Sequence, residues 1–392
     1  MVGSDSGAAL PTAPGAWLGV LGGGQLGRMF CQSAQALGYR VAVLDPAESS
    51  PAGAVADRHI RAAYDDPQAL DTLGSLCAAV TTEFENVPAD SLRRLAGLCR
   101  TAPAGDSVAI AQDRLAEKAY LQASGVPVAA HAAVSQASDL DVCPASLFPG
   151  ILKTARLGYD GKGQVRVSSR EQALQAFESL RGAACVLEAL QPLDYEISVV
   201  VARGLDGRTV TYPPSRNAHR DGILAVSTVD GTIDPAVADR ARRHALRIAD
   251  HLDYHGVLCV EFFVLRDGAV IANEMAPRPH NSGHYTQDGC LVSQFEQQAR
   301  IMAGLPLGMT DPLCPSAMLN LLGDLWFDPD GRLREPDWAG VLSVPGTRLH
   351  LYAKSQARPG RKMGHVNILG ATAAELHARV ARVAGALGLS DA

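Results

Sequence analysis

The sequence predicts a protein of mixed α/β and α+β architecture, with several domains around a shared cleft. First, 392 residues exceed what one hydrophobic core usually supports. Second, the first hundred residues alternate short apolar runs with helical patterns, which is typical of βαβ units. Third, the pattern changes near Pro103 to a mixture of strands and helices, and after about Met309 to short strands with Gly and Pro turns.

This pattern divides the chain into four parts. Residues 1–15, rich in Gly, Ala, Pro and Ser, are expected to be a flexible tail. Residues 16–112 are predicted to form a Rossmann-like α/β domain, and residues 113–308 an α+β domain. The second of these is predicted to open with a helix over Asp113 to Ala123, for which Asp113 is a candidate N-cap. Residues 309–392 are predicted to form a small β-rich domain packed on the first, closing with a helix over Thr372 to Leu387.

Composition excludes several classes of protein. A formal net charge of −6 gives no general attraction for nucleic acid or anionic membranes. No apolar stretch approaches the roughly 18 residues that span a bilayer, and the first basic residue, Arg28, lies too late for a signal peptide. Eight cysteines are scattered without the spacing of a zinc site. We therefore expect a cytoplasmic protein with reduced thiols.

A glycine-rich loop, Gly22 to Gly27, separates a predicted strand over Trp17 to Leu21 from a predicted helix over Gln25 to Leu37. It satisfies the GxGxxG pattern, and Asp45 lies near the spacing of a ribose-binding acid. The pattern only requires that amides at a helix N-terminus be left bare for an anion. A substrate phosphate, a dinucleotide and a tight structural turn all remain open from these residues.

Polar residues follow another predicted strand of the first domain, Ala78 to Thr82. Glu83, Glu85 and Asn86 come directly after it. Ligands of open α/β sheets bind at the carboxyl ends of the strands, so we expect these side chains to line the cleft.

A second glycine-rich segment, Gly158 to Gln164, follows a predicted strand over Ile151 to Thr154. The strand would deliver Lys153 to a surface, where its charge would neutralise phosphate groups, and the amides of the segment would donate to a triphosphate together with Lys162. It is not a Walker A loop, because no Gly-Lys-Ser/Thr opens a helix. A glycine hairpin with an exposed lysine is the alternative.

The hairpin predicted around Asp267-Gly268 brings two carboxylates face to face. Asp-Gly is a strong signal for a two-residue type I′ turn, and in that register Glu261 stands opposite Glu274 with Cβ atoms roughly 5 Å apart. Like charges in an apolar hairpin destabilise it unless a cation or a shared proton intervenes. Mg²⁺ bound also to nucleotide phosphates meets that need. A salt bridge shared with Arg278, or a bulge that breaks the register, is the alternative.

Two further acids flank a predicted turn. Glu188 lies near the end of a strand predicted over Cys185 to Ala189, and Glu196 starts the next strand after Gln191 to Asp194. A strand edge followed by an acid is suited to bind adenine through backbone groups and ribose through the carboxylate. Each feature alone is weak evidence, because exposed glutamates at strand ends are common.

The order of these features resembles the ATP-grasp fold, in which two α+β subdomains clasp ATP. The features are Lys153, the glycine-rich segment, Glu188, Glu196, Glu261 and Asn273-Glu274. More specific are the strings GGGQLGRM at 22–29, KTARLGYDGKGQ at 153–164, NAHRDGIL at 217–224, NEMAPRPHNSGH at 273–284 and RPGRKMGH at 358–365. From about Trp17 to about Leu387 the chain resembles the 5-(carboxyamino)imidazole ribonucleotide synthase family of purine biosynthesis.

The resemblance implies an ATP-grasp ligase with an N-terminal pre-ATP-grasp domain. In this family ATP and bicarbonate form carboxyphosphate, and the exocyclic amine of 5-aminoimidazole ribonucleotide captures its carboxyl group, leaving ADP and phosphate. The resemblance also implies Mg²⁺ as the metal that accompanies ATP, and a homodimer.

Motif matching carries the site residues over in four groups. The ATP-binding group is Arg114, Lys153, Gly158, Tyr159, Asp160, Gly161, Lys162, Gly163, Gln164, Glu188, Ala189, Leu190, Gln191, Glu196, His219, Asn273 and Glu274. The substrate-binding group is Gly24, Gln25, Leu26, Glu83, Glu85, Asn86, Arg156, Lys354, Arg361 and Lys362. The catalytic group is Lys153, Tyr159, Asp160, Arg278, His280 and Asn281, and the Mg²⁺ ligands are Glu261 and Glu274.

Three alternatives concern individual residues or small groups of residues. The basic cluster of Lys354, Arg358, Arg361 and Lys362 is either the site of the ribose phosphate or a solvated charged face. His219 is either a nucleotide contact or a structural histidine. His280 and His284 have the i,i+4 spacing of a zinc pair, but Pro277, Pro279 and Gly283 argue against a helix there, so we reject zinc.

The chain departs from the family pattern at Ala155, where many relatives carry a second basic residue before Arg156. Three rival functions also remain: formate-dependent glycinamide ribonucleotide transformylase, a nicotinamide dehydrogenase built on the first glycine-rich loop, and a nucleotide-binding regulatory protein without turnover.

Overall fold

The computed structural model describes residues 10–156, 158 and 163–389. Within these residues the strands form three sheets, one parallel and two antiparallel. None of the described helices is long and apolar enough to cross a membrane. All eight cysteines are free thiols, and most are buried.

The parallel sheet lies in the N-terminal part of the chain. Its strands are β1 (Trp17–Leu21), β2 (Arg40–Leu44), β3 (Arg58–Ile60), β4 (Ala79–Thr82) and β5 (Arg100–Thr101), and its helices are α1 (Gln25–Ala36), α2 (Pro67–Leu76), α3 (Ala89–Ala96) and α4 (Gly105–Ala111). The strands pair in the order β3-β2-β1-β4-β5. Strands β1 and β2 read as nearly continuous apolar runs because helices cover both faces of a parallel sheet. The predicted strands and the opening βαβ unit are confirmed.

The small antiparallel sheet follows. Its elements are α5 (Arg114–Ala123), β6 (His131–Val134), β7 (Gly150–Thr154), β8 (Gln164–Val167), α6 (Arg170–Ser179) and β9 (Cys185–Ala189). The strands pair in the order β6-β9-β7-β8. Helix α5 begins where the sequence predicts, because the Asp113 carboxylate accepts from the amides of Leu115 and Ala116.

The large antiparallel sheet contains the rest of the strands. Its first elements are β10 (Leu193–Arg203), β11 (Thr209–Thr211), β12 (Ser215–Arg220), β13 (Ile223–Val229), α7 (Pro235–His251), β14 (Gly256–Leu265), β15 (Val270–Ala276), α8 (Thr286–Gly289) and α9 (Gln294–Ala303). The last are β16 (Ser316–Leu322), α10 (Trp338–Leu342), β17 (Thr347–Leu351), β18 (Lys362–Leu369) and α11 (Ala373–Leu387). The order is β15-β14-β10-β12-β13-β16-β18-β17, with β11 on β10.

The C-terminal strands do not form a sheet of their own. Strand β16 pairs with β13, so that Leu319 stands opposite Val226, and the sheet continues into the last part of the chain. The sequence predicts the β-rich character of this part but not its continuity with the preceding sheet.

The two faces of the large sheet have different roles. Ile197 and Val199 of β10 pack on α7 in a continuous apolar core. Glu196 and Ser198 alternate with them and therefore point to the opposite face. On that opposite face, farther along β10, the sheet packs against α9, which in turn packs on α1 of the parallel sheet. The second face thus opens toward the first domain, and it carries the polar residues described next.

Candidate active site

Glu261 of β14 and Glu274 of β15 stand directly opposite each other, as the sequence predicts. The two carboxylates therefore lie on one face of the hairpin. Ser198 of β10 is the partner of Glu261 on its other side, which places the pair on the polar face of the large sheet.

The turn of the hairpin and the register of the residues next to it differ from the prediction. Gly268 has a φ of 80°, but Asp267 is not in the left-handed region, so the turn is not type I′. As a result Val264 pairs with Val270, one residue out of the predicted register. A bulge that leaves Asn273 without a partner across the hairpin then restores the register before the two glutamates. The predicted pairing is correct, although the predicted turn is wrong.

Three carboxylates crowd the same face. Burial raises the pKa of Glu261 well above its ordinary value, and the charges of Glu274 and Glu196 raise it further. Burial also raises the pKa of Glu196, which His219 opposes from 3.2 Å between Nδ1 and Oε2. The Nε2 atom of His280 lies 3.4 Å from Oε1 of Glu261. This concentration of negative charge favours a cation in the cleft.

Oxygen ligands for such a cation are present. In the described part of the chain, no three His, Cys, Asp or Glu side chains are placed to hold a metal by themselves. However, Oδ1 of Asn273 is buried with no hydrogen-bond partner among the described residues, and it lies next to Glu274 in the chain. Two carboxylates and an amide oxygen, completed by phosphate oxygens, are the ligand types that Mg²⁺ prefers. The residues present therefore fit this ion.

A buried ion triad lies beside this face on the small sheet and α5. Glu188 contacts Lys153 through Oε2 at 2.9 Å and Lys118 through Oε1 at 3.1 Å, and all three side chains are less than 10% exposed. Burial alone would raise the pKa of Glu188, but the two lysines hold it below its ordinary value. Two cations and one anion leave an excess of positive charge, which suits an anionic ligand.

Sequence reasoning missed Lys118 and its neighbour Glu117. Lys118 lies four residues after Arg114 on a predicted helix, so the spacing already indicated a shared face. Arg114 contacts Glu274 at 3.0 Å, and Glu117 accepts the amide of Met275 at 2.6 Å. Burial raises the pKa of Glu117 to about 8, with the charge of Glu274 as the second cause.

The first glycine-rich loop has an anion of its own. Glu83 accepts the amides of Gly24 at 2.6 Å and Gly27 at 3.0 Å, while Asp45 accepts the amide of Gly23 at 2.7 Å. A Cβ atom at Gly24 would clash with the Glu83 carboxylate, which explains the glycine there. For these three amides the structure supports the tight structural turn, and Asp45 serves the loop instead of a ribose.

Arg278 joins the first domain to the polar face by an ion pair with Glu85. Burial would raise the pKa of Glu85, but Arg278, followed by the charge of Lys362, holds it below its ordinary value. Arg278 is therefore paired with Glu85, and not with the two facing glutamates as the alternative interpretation required. The charge of Lys362 also lowers the pKa of Glu261, in opposition to burial, so this member of the basic cluster acts on the facing glutamates.

The remaining predicted site residues have the following surroundings. Leu26 is buried, Gln25 and Asn86 are half-buried, and Ala189, Leu190 and Gln191 lie at the connection between β9 and β10. Lys354 donates to the carbonyl of Lys362, and Arg361 to that of Gln356. Asn281 and Asn320 exchange hydrogen bonds through both amide groups.

Part of the second glycine-rich segment lies outside the described residues. Gly163 has a φ of 71° and accepts the amide of Thr154 through its carbonyl, Gln164 pairs with Lys153 across β7 and β8, and Arg156 lies 3.5 Å from Asp113. Gly158 is among the described residues, whereas the predictions for Tyr159, Asp160, Gly161 and Lys162 fall outside them.

The two antiparallel sheets, with a lysine-glutamate triad on one and facing carboxylates on the other, define an ATP-grasp protein. Residues 119–295 match the ATP-grasp domain, residues 16–112 the ribonucleotide synthetase preATP-grasp domain, and residues 316–379 the phosphoribosylaminoimidazole carboxylase C-terminal domain.

Similarity to individual proteins shows which family of the ATP-grasp class the chain belongs to. The chain is 45% identical over 356 residues to N5-carboxyaminoimidazole ribonucleotide synthase of Brucella melitensis, covering 90% of this chain and 96% of the relative. The chain therefore belongs to the N5-carboxyaminoimidazole ribonucleotide synthase family, which confirms the resemblance read from its motifs.

Solved structures agree with this assignment. The N5-carboxyaminoimidazole ribonucleotide synthetase of Thermus thermophilus superposes with a TM-score of 0.86 at 39% identity, covering 96% of this chain and 99% of that one. The synthase of Aspergillus clavatus, solved with ADP and 5-aminoimidazole ribonucleotide, superposes with a TM-score of 0.86 at 30% identity, covering 95% and 99%.

Proposed function

We propose that this protein carboxylates the exocyclic amine of 5-aminoimidazole ribonucleotide, using ATP and bicarbonate and releasing ADP and phosphate. The observation that carries the proposal is the facing pair Glu261 and Glu274, which shares a cleft with the triad around Glu188. The same reaction is supported by the matches of the three parts of the chain to an ATP-grasp domain, a ribonucleotide synthetase preATP-grasp domain and a phosphoribosylaminoimidazole carboxylase C-terminal domain.

The chemistry explains why ATP is needed. Bicarbonate is a poor electrophile, so an oxygen of bicarbonate first attacks the γ-phosphorus, the bond to ADP breaks and carboxyphosphate forms. The amine nitrogen then attacks the carboxyl carbon, the bond to phosphate breaks and the amine loses a proton. No covalent bond to the protein is needed, and positioning with charge neutralisation supplies the catalysis.

The residues divide between the two substrates. Lys153 and Arg114 would neutralise the phosphates of ATP, and the segment Ala189 to Gln191 would hold adenine at the hinge between the sheets. Asn273, with Glu261 and Glu274, would hold Mg²⁺, which when bound supplies positive charge to the phosphates.

The aminoimidazole ribonucleotide would lie toward the first domain. Glu85, Asn86 and the loop at Gln25 would contact its base and ribose, and the basic cluster of Lys354, Arg358, Arg361 and Lys362 would bind its phosphate. Arg278, His280 and Asn281 would line the place where the amine meets the carboxyl group. We propose in addition that the protein acts in the cytoplasm as a homodimer. We also propose that residues 112/113 and 308/309 divide its three functional parts, although the third part does not fold alone because β16 continues the large sheet.

The test is ADP release by the purified full-length chain. We expect release that requires 5-aminoimidazole ribonucleotide and bicarbonate together, with one ADP formed for each carboxylated product. Release driven by formate and glycinamide ribonucleotide would transfer the assignment to the transformylase. Binding of ATP without turnover under either condition would indicate a regulatory protein, and sedimentation analysis would test the homodimer.

A further inference from the structure

We propose that Gln294 is a positioning residue for the carboxylation reaction, because it holds the backbone of His280 at the active site. This inference rests on the proposed function, in which His280 lines the reaction centre. Gln294 is the first residue of α9 and is completely buried. Nothing in the resemblance assigns it a role.

The carboxamide of Gln294 binds His280 at both of its backbone polar groups. The amide of His280 donates to Oε1 of Gln294 at 2.9 Å, and Nε2 of Gln294 donates to the carbonyl of His280 at 2.7 Å. A carboxamide carries a donor and an acceptor in the arrangement of a peptide group. The side chain therefore makes the two hydrogen bonds that a neighbouring strand would otherwise make. The same Nε2 lies 3.1 Å from Nδ1 of His284.

This clamp is needed because His280 lies beyond the last strand that would support it. β15 ends at Ala276, and the preceding Pro279 has no amide to donate. Buried backbone groups without partners cost about 1–3 kcal/mol each, so the segment depends on a side chain for its hydrogen bonds.

The surroundings are shaped to admit the glutamine. A Cβ atom at Gly283 would lie 2.5 Å from Oε1 of Gln294, so only glycine leaves room for the clamp. The amide of Gln294 also donates to Thr286, whose hydroxyl donates to the carbonyl of Gly283. The clamp is therefore part of a closed network around the loop.

The clamp decides where the imidazole of His280 points. Its Nε2 atom lies 3.4 Å from Glu261, and its Nδ1 atom lies 2.8 Å from the hydroxyl of Ser282. A backbone displacement at His280 would shift the imidazole relative to Glu261, and misplacements of about 1 Å cost on the order of 10²-fold in rate. Gln294 therefore acts through His280, without touching the reacting atoms itself.

The same helix offers a matched control. Gln297 is also completely buried on α9, and it clamps Gly308 in the same way: Nε2 donates to the carbonyl at 2.7 Å, and the amide of Gly308 donates to Oε1 at 3.0 Å. Gly308 is outside the residues of the site. Equivalent substitutions of the two glutamines remove equivalent hydrogen bonds, and only one of the two clamps holds a site residue.

The experiment compares Gln294→Glu and Gln294→Met with Gln297→Glu and Gln297→Met in the full-length chain. We expect all four to melt earlier, because methionine leaves both part-buried backbone groups unpaired and glutamate leaves the carbonyl without its donor. Both Gln294 variants should lower kcat for product formation about tenfold or more with the KM for ATP unchanged, whereas the Gln297 variants should stay within about twofold of wild type. Equal losses of kcat in the two pairs would overturn the proposal.

A double-mutant cycle with His280→Ala separates positioning from general instability. The effect of Gln294→Met on kcat should disappear in the His280→Ala background, while its effect on melting should remain. An effect on kcat that persists undiminished would contradict the inference.

An NMR measurement does not depend on turnover. The imidazole resonance of His280, assigned by its loss in His280→Ala, should shift in Gln294→Met and stay in place in Gln297→Met. An unmoved resonance in Gln294→Met would overturn the inference even if the chain is active. If the wild-type protein shows no turnover but the His280 resonance shifts in Gln294→Met, the proposed function is rejected. The role of Gln294 in positioning His280 is then retained.

Discussion

Single residues at the cleft are arranged against their own electrostatic preference. Glu196, Glu261 and Glu274 share one face of the large sheet, and the raised pKa values of Glu261 and Glu196 reflect burial first and mutual repulsion second. Removing one of these charges should reduce the repulsion between the remaining carboxylates. The cluster is therefore expected to lower the stability of the protein without ligands in exchange for affinity toward a cation and its nucleotide.

Glu274→Gln tests whether the carboxylate cluster is needed for activity and lowers the stability of the ligand-free protein. The amide keeps the shape of the side chain but removes the charge that faces Glu261 and Arg114, so kcat should fall on the order of 10²-fold or more. The melting temperature of the ligand-free protein should not fall markedly, because the substitution also relieves the repulsion between the carboxylates. Glu296→Gln is the control, because Glu296 forms an ion pair with Arg300 on the same helix, away from the cleft. Activity near wild type in Glu274→Gln would remove the metal role.

Glu117 gives a pH prediction. Its pKa is raised by burial to about 8, from an ordinary value near 4.5. A raised folded-state pKa means that this group's contribution to stability is complete below about pH 4.5 and is lost as the pH rises through about 8. Glu117→Gln cannot ionise and still accepts the amide of Met275, so it should melt higher than wild type at pH 9 by a margin that vanishes below about pH 4.5. A constant difference between these pH values would contradict the raised pKa.

At the scale of elements, the hairpin of β14 and β15 shows what local sequence can predict. The Asp-Gly turn between two largely apolar runs indicates two paired strands. These features do not indicate the bulge at Asn273, which lies where distant segments bond to the strand. The outer edge of β15 is used by other segments: the amide of Ala272 donates to the carbonyl of Pro127, and the amide of Met275 donates to Glu117. Such contacts leave no periodic trace in the hairpin's own residues.

The first glycine-rich loop shows the same limit. The GxGxxG pattern correctly predicts a helix N-terminus that needs an anion. It cannot say where the anion comes from, and here Glu83, at the end of a different strand, supplies it. The helix cap at Asp113 could be predicted because donor and acceptor lie within three residues.

Gly268→Ala tests the observed turn of the hairpin. Gly268 has a φ of 80°, and a Cβ atom there would meet no atom within 4 Å, so the cost of alanine is backbone strain alone. We expect a loss of about 1 kcal/mol in the free energy of unfolding. Because the bulge at Asn273 sets the facing of the glutamates, kcat should be unchanged. Denaturant unfolding and ADP release measure the two quantities, and a large loss of kcat would show that the turn controls the pairing.

At the scale of the whole molecule, the large sheet joins parts of the chain that the sequence predicts as separate domains. Composition and the change to Gly and Pro turns after about Met309 indicate a boundary, and local patterns cannot show that an edge strand continues across it. Strands β13 and β16 pair over a long separation in sequence. Because such pairing depends on which edges meet in space, it is visible only in the structure.

Truncation tests this continuity. A chain ending at residue 308 loses β16 to β18 and α11, which leaves β13 as an unpaired edge and uncovers Leu224 and Val229. Each large apolar side chain that loses its cover costs about 1.5–3 kcal/mol, and a domain has only about 5–15 kcal/mol in total. We therefore expect an aggregating chain without a cooperative melting transition, whereas a chain ending at residue 389 should behave as wild type. A soluble, cooperatively melting product ending at residue 308 would mean that the last part of the chain is an independent domain and that the shared sheet contributes little to folding.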